Sequence, residues 1–198
     1  MKESNILNTN QQIAAKSRSL FALHGYEGFT MRTLARDCDI SLSSIYHHFK
    51  DKDELLHAQF NAINTELGQK RARLPEPSTA SEALRQRIEF QFENSESILF
   101  VLKYYLHFRD RFKKQPVGYL EDKAYLHITE VLDRGVRSGE FTITTSTDEE
   151  AKVIAHSING FVLEYFPKKP DTDEYIKMVD SIHSFLVRSL TNKAEMPS

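Results

Sequence analysis

The sequence predicts an all-α protein of about nine helices, with two short helices near the N-terminus joined by a tight turn. Three observations carry this. Nearly every segment repeats its apolar residues at helical spacing, and no pair of alternating runs flanks a hairpin turn. Glycine (7) and proline (6) are sparse among 198 residues, which favours long uninterrupted helices. Two of the amphipathic segments are short and are separated only by Cys38 to Ser41, the spacing of a helix-turn-helix.

The first helix is expected from Thr9 to His24, with Ile13, Ser17, Leu20 and Phe21 on one face and Gly25 as its stop. The second follows Thr30, whose hydroxyl can cap free N–H groups, carries Met31, Leu34 and Ala35 inward and ends near Asp37–Asp39. Ser41 caps a third helix with Leu42, Ile45 and Phe49 inside. The fourth runs from Asp51 to about Arg71: Asp51 and Glu54 have capping-box spacing, and Leu56, Phe60, Ile63 and Leu67 form a core stripe. LPEPSTAS (74–81) is the clearest linker, with Thr79 and Glu82 again at capping-box spacing. Five more helices are expected over 80–93, 96–113, 118–138, 147–166 and 172–191. This organisation divides the chain into a helix-turn-helix domain over 1–55, running into the connecting helix 51–71, a second helical domain over 56–191, and a tail over 192–198.

The charge distribution is more informative than its total of −2. Residues 1–52 hold seven Lys and Arg against five Asp and Glu, a net +2, which leaves −4 for the rest. A mildly basic N-terminal part beside an acidic remainder permits a local polyanion-binding face. No apolar run approaches the roughly 18 to 20 residues that span a bilayer. The first residues, MKESNILNTNQQ, are polar and unlike a secretory signal. The single cysteine, Cys38, excludes an internal disulfide framework and fits a reducing, cytoplasmic setting.

In a helix-turn-helix the second helix enters the major groove, and its outward N-terminal residues meet base edges. Here those residues are Leu42, Ser43, Ser44, Tyr46 and His47, with Ser41 occupied partly in capping. Serine hydroxyls can bond bases or phosphates, and a tyrosine hydroxyl and an imidazole at the helix end can reach backbone oxygens. Lys52 adds charge beside a helix N-terminus, which itself favours phosphate, and Thr30 and Arg32 can hold the strand on the other side. Phe49 reads as core and His48 as structural or exposed.

The stretch LFALHGYEGFTMRTLARDCDISLSSIYHHFKDKDEL (20–55) resembles the tetracycline-repressor (TetR) family of bacterial regulators. The family's pattern is matched at Leu20, Phe21, Gly25, Tyr26, Thr30, Leu34, Ala35, Ile40, Ser41, Ile45, Tyr46, His48, Phe49, Lys52 and Leu55, with unbroken spacing. Asp39 departs from it, standing where the family usually has the turn glycine; Asp tolerates a left-handed conformation better than most residues. Further on, RGVRSGEF (Arg134–Phe141) looks like the family's junction after the seventh helix. The resemblance implies that the second half senses a ligand and dimerises. Its last two helices would then form a four-helix interface with a second copy through Ile158, Phe161, Val162, Tyr165, Val179, Ile182, Phe185 and Leu186.

The middle helices are rich in aromatics, including Phe90, Phe100, Tyr104, Phe112 and Tyr119. Phe92, Tyr105, Phe108, Tyr125, His156 and Asn159 are the residues expected to line an apolar ligand cavity with a few polar groups. The histidines are scattered, HExxH is absent and Cys38 has no partner, so neither a metal nor a cofactor is expected. Without a Gly-rich phosphate loop, a nucleophile elbow or a carboxylate pair, an enzyme is not expected either. The expected function is a homodimeric DNA-binding regulator, a repressor released from a palindromic double-stranded operator by a small, largely apolar effector. The alternative is a DNA-binding or partner-binding protein of the same fold that needs no effector.

Overall fold

The computed structural model describes the backbone of residues 2–112, 121–166 and 171–191, and the side chains of 9–110, 125–166 and 171–191. The tail 192–198, residues 118–120 of the expected seventh helix, Tyr119 and the Phe112 side chain lie outside the described residues. Among the described residues there are nine α-helices and no strand: α1 (Lys2–Gly28), α2 (Met31–Asp37), α3 (Leu42–His48), α4 (Lys52–Ala72), α5 (Ala80–Glu93), α6 (Ser95–Phe112), α7 (Glu121–Ser138), α8 (Thr147–Tyr165) and α9 (Thr172–Thr191). None of them is long and apolar enough to cross a membrane. Helix α1 starts well before Thr9, since no glycine or proline interrupts residues 2–8.

The chain forms two compact units. The first holds residues 1–73 and 94–110, that is α1 to α4 with most of α6; the second holds 74–93 and 111–198. In the first, Phe21 packs its ring against Phe29 and Phe100 at 6.3 and 4.7 Å, and Phe60 stacks on Tyr104 at 4.1 Å. Ile13, Leu34, Ile45, Leu55 and Ile63 are fully buried there. In the second, α5 packs on α7, α8 and α9, and α7 packs on α8. Ala80, Leu84, Ile88, Leu132, Ala151 and Val162 are fully buried there.

The helix starts follow the local capping signals. The hydroxyl of Thr30 accepts from Thr33 N–H, and that of Ser41 from Ser44 N–H. Asp51 accepts from Glu54 N–H at 2.8 Å, while Glu54 reaches back to Lys50 N–H at 2.6 Å. Thr79 accepts from Glu82 N–H at 3.0 Å, and Ser146 with Glu149 makes a complete capping box. Each cap satisfies N–H groups that the helix itself leaves free.

The turn between α2 and α3 is a Schellman stop. Asp39 N–H bonds to Arg36 O at 3.1 Å and Ile40 N–H to Ala35 O at 3.0 Å, with Asp39 left-handed at φ 53°. Asp39 is thus the one non-glycine residue with positive φ among those described, as its place in the motif suggested. A side chain there costs roughly 1–2 kcal/mol, of which glycine's greater freedom in the unfolded chain returns up to about 1 kcal/mol. Asp39→Gly is therefore expected to raise stability by a few tenths to about 1 kcal/mol. A higher urea midpoint at unchanged m-value is the expected readout. A lower midpoint would mean that the carboxylate stabilises the turn by more than its strain.

Candidate nucleic-acid interface

Helix α3 presents a polar outer face. Ser43, Tyr46 and His47 are exposed, Tyr46 by half of its surface, while Leu42 and Ser44 are half-buried and Ile45 is fully buried. The Ser41 hydroxyl lies 2.8 Å from Ser43 Oγ and 2.7 Å from Ser44 Oγ, so three hydroxyls cluster at the start of the helix. Each keeps hydrogen-bonding capacity for an incoming base edge or phosphate. Thr30 and Arg32 are exposed at the start of α2. The Phe49 ring is half-buried at the far end.

Lys52, expected as a phosphate clamp, is half-buried and held on Tyr26. Its ammonium donates to Tyr26 O and lies 3.7 Å above the centre of the Tyr26 ring. Burial lowers its pKa, against the opposing pull of Glu27 and Asp53. Gly25, at φ 67°, interrupts α1, and Tyr26 lies in the short turn that follows, where its carbonyl accepts from Phe29 N–H at 3.3 Å as well as from the lysine; a cation is favoured at such a helix C-terminus. The exposed lysine beside the recognition helix is Lys50.

The expected ligand-lining residues divide between the units. Phe108 is buried and Tyr105 half-buried in the first unit, where Phe108 packs on Tyr26, His57 and Tyr104. In the second unit, Phe92 is buried edge-on to Tyr165 and Tyr175 at 6.3 and 6.5 Å. Tyr125 Oη lies 3.2 Å from His156 Nε2, and Asn159 Oδ1 accepts from Gln91 Nε2 at 2.9 Å. Gln91, which sequence reasoning did not single out, is 4 % exposed, and among the described residues its Oε1 accepts no hydrogen bond. Burial also pushes the Tyr175 hydroxyl up to about 12. Among the described residues no cluster of three His, Cys, Asp or Glu could hold a metal ion.

The apolar residues expected at a dimer interface are of two kinds. Ile158, Val162, Val179, Ile182 and Leu186 are buried within this one chain, where they pack its own core. Phe161 and Phe185 are exposed at 37 % and 61 %, and Tyr165 is half-buried. With Ile182, these three line an open groove of about 480 Å³ on α8 and α9, bordered by Glu174 and Lys177.

Residues 13–58 match the model of the family described as bacterial regulatory proteins, tetR family. The HTH-type transcriptional repressor AcnR of Corynebacterium efficiens is 44% identical over 52 residues, 26% of this chain and 28% of that repressor. The HTH-type transcriptional repressor Rv1474c of Mycobacterium tuberculosis is 36% identical over 58 residues, 29% of this chain and 31% of that protein. The chain thus matches less than a third of the length of these curated relatives, and the match lies in the helix-turn-helix region. Among solved structures, a TetR family transcriptional regulator from Agrobacterium tumefaciens has a TM-score of 0.69 at 19% identity, covering 94% of this chain and 99% of that one. The transcriptional regulator FadR from Bacillus subtilis, in complex with stearoyl-CoA, has a TM-score of 0.65 at 19% identity, covering 91% and 99%. At such identities the likeness is one of fold, and it extends over nearly the whole chain. Residues 13–58 thus carry the helix-turn-helix domain of the tetR family of bacterial regulatory proteins, and the helical fold of the whole chain is similar to that of solved TetR family regulators.

Proposed function

We propose that this protein is a DNA-binding transcriptional repressor of the cytoplasm, acting as a homodimer on a palindromic operator and released by a small, largely apolar ligand. The observation that carries the reading is the outer face of α3, where the serine cluster, Tyr46 and His47 stand exposed on a short helix behind a Schellman turn. A lone recognition helix reads few base pairs, so two copies on half-sites about one helical turn apart, or somewhat more, supply the specificity. The helix-turn-helix domain is assigned to residues 1–55 and the ligand-binding and dimerisation domain to 56–191.

Thr30, Arg32, Ser41, Leu42, Ser43, Ser44, Tyr46, His47 and Lys52 are the proposed DNA contacts, with the Lys52 ammonium also held on Tyr26. Support for a ligand comes from the second unit, where the buried Gln91 Oε1 is an acceptor in want of a donor. The stearoyl-CoA bound by FadR supports a ligand of partly apolar character. A ligand that prefers the state unable to bind DNA by about 1.4 kcal/mol releases the operator tenfold.

Tyr46→Phe tests the interface. It removes one hydrogen bond to phosphate, and the expected loss is about 1 kcal/mol, or roughly fivefold in affinity. Ser43→Ala is expected instead to change which bases are preferred, measured by selecting duplexes from a random pool. Wild-type behaviour of both variants would place the DNA contacts elsewhere.

A further inference from the structure

Around the broken end of α1, two other helices of the same unit converge. The Lys103 ammonium of α6 donates to Ala22 O at 2.6 Å and Leu23 O at 3.0 Å. One turn further along α6, the His107 imidazole stacks on the Tyr26 ring, 3.6 Å between centres and 11° between planes. Lys52 of α4 lies 3.7 Å above that same ring. Two groups that close to one ring centre cannot share a face, so the ring is held between the lysine and the imidazole. The Tyr26 hydroxyl donates to Asp53 Oδ1 at 2.6 Å, and Phe108 meets the ring edge-on at 5.6 Å. From Tyr26 the chain runs through the buried Phe29 into the Thr30 cap, then directly into α2 and α3.

We infer that Lys103 and His107 are positioning residues for operator binding: they orient the helix-turn-helix by holding Tyr26 and the end of α1. The inference rests on the DNA-binding reading above. Lys103 and His107 are spaced one helical turn apart on α6 and therefore share a face. Lys103 gives up hydration to reach its two carbonyls, and that burial lowers its pKa. His107 is exposed, so its removal opens no core cavity, yet it withdraws one of the two walls of the Tyr26 ring. Small rotations of that ring shift the start of α2, and α3 with it, because α1 packs on α2 and α2 on α3.

The test uses the full chain and a duplex selected from a random pool by the wild-type protein. Its affinity is followed by fluorescence anisotropy between about 50 and 200 mM salt. His107→Ala and Lys103→Ala are each expected to weaken binding about tenfold, within the range that residues remote from a ligand exert on it. Their salt slope should match the wild-type slope, because no phosphate contact is lost, whereas a direct contact would lower it by about one. His107→Phe keeps a flat ring on Tyr26 and should bind within about twofold of wild type, the two-fold mark being well inside the effect of a lost contact. Far-UV circular dichroism verifies that all variants are folded. Unchanged affinity of His107→Ala overturns the inference, as does a slope reduced by one or a His107→Phe protein as weak as His107→Ala. Failure of the wild-type protein to select any duplex overturns the DNA-binding reading, and this inference with it.

Discussion

A protein carrying both Phe161→Glu and Phe185→Glu is expected to sediment as a folded monomer near 22.9 kDa and to lose operator binding. Both phenylalanines are exposed on the groove of α8 and α9, at 37 % and 61 %. In the proposed homodimer a two-fold axis through that groove would bring two of each together, so the double variant would set four carboxylates in a buried patch. Moving an ion out of water costs several kcal/mol even after relaxation, and the apolar burial of four phenylalanine rings is lost as well. A fall of at least a thousandfold in the dimerisation constant, about 4 kcal/mol, is the expected result. A monomer then reads one half-site, without the high effective concentration that tethering gives the second. Ile158 is no substitute for Phe161 in this experiment. It is 1 % exposed in the single chain, so a charge there would unfold the protein rather than separate two copies. An unchanged dimer in the double variant, with normal circular dichroism, would move the interface to another face.

Gly135→Ala is expected to be the most damaging alanine substitution among the described glycines. A Cβ at Gly135 would lie 2.1 Å from Phe141 Cδ2 and 2.6 Å from Cε2. Phe141 is 3 % exposed, and its N–H is bonded to Gly135 O at 3.0 Å. The preceding residue is equally tied. Glu140 accepts from Ala80 and Ser81 N–H, each at 3.1 Å, at the start of α5, and Arg134 donates to Thr79 O at 2.6 Å. The Ala80 N–H, then the Ser81 N–H, Ser138 hydroxyl and Arg134, hold the Glu140 carboxyl below the usual range. Displacing Phe141 therefore pulls the carboxylate from the helix start it caps. Overpacking of about 1–3 kcal/mol and loss of a cap near 1 kcal/mol give an expected destabilisation of roughly 2–4 kcal/mol. At about 2–4 °C per kcal/mol the Tm should fall on the order of 10 °C. Gly68→Ala makes the contrast: its Cβ meets nothing within 4 Å, and alanine in a helix interior is expected to add about 0.5–1 kcal/mol. Equal Tm values for the two variants would remove the close approach of Gly135 and Phe141 as a feature of the folded protein.

What could be read without the fold was whatever the chain does to itself over three or four residues. The caps at Thr30, Ser41, Asp51 and Thr79 were legible because donor and acceptor lie one turn apart. So was the break at Gly25, and so was Asp39 in its left-handed turn, since backbone sterics act locally. The helix-turn-helix and its exposed hydroxyls followed from those signals. Tertiary structure decided which neighbour each long side chain and each apolar stripe would find. Lys52, the first residue of α4, reaches the carbonyl and the ring of Tyr26, 26 positions earlier, at the end of α1. Lys103 answers the same break from about 80 positions away. Helical periodicity placed Ile158, Val162, Ile182 and Phe185 on inward-facing stripes, but a stripe does not name its partner. Only the packing of α5, α7, α8 and α9 shows that the first three serve this chain's own core, while Phe185 stays exposed. The physical reason is range: propensities and caps are set within a turn of helix, whereas burial and the destination of a charge are settled by chain segments that sequence order does not bring together.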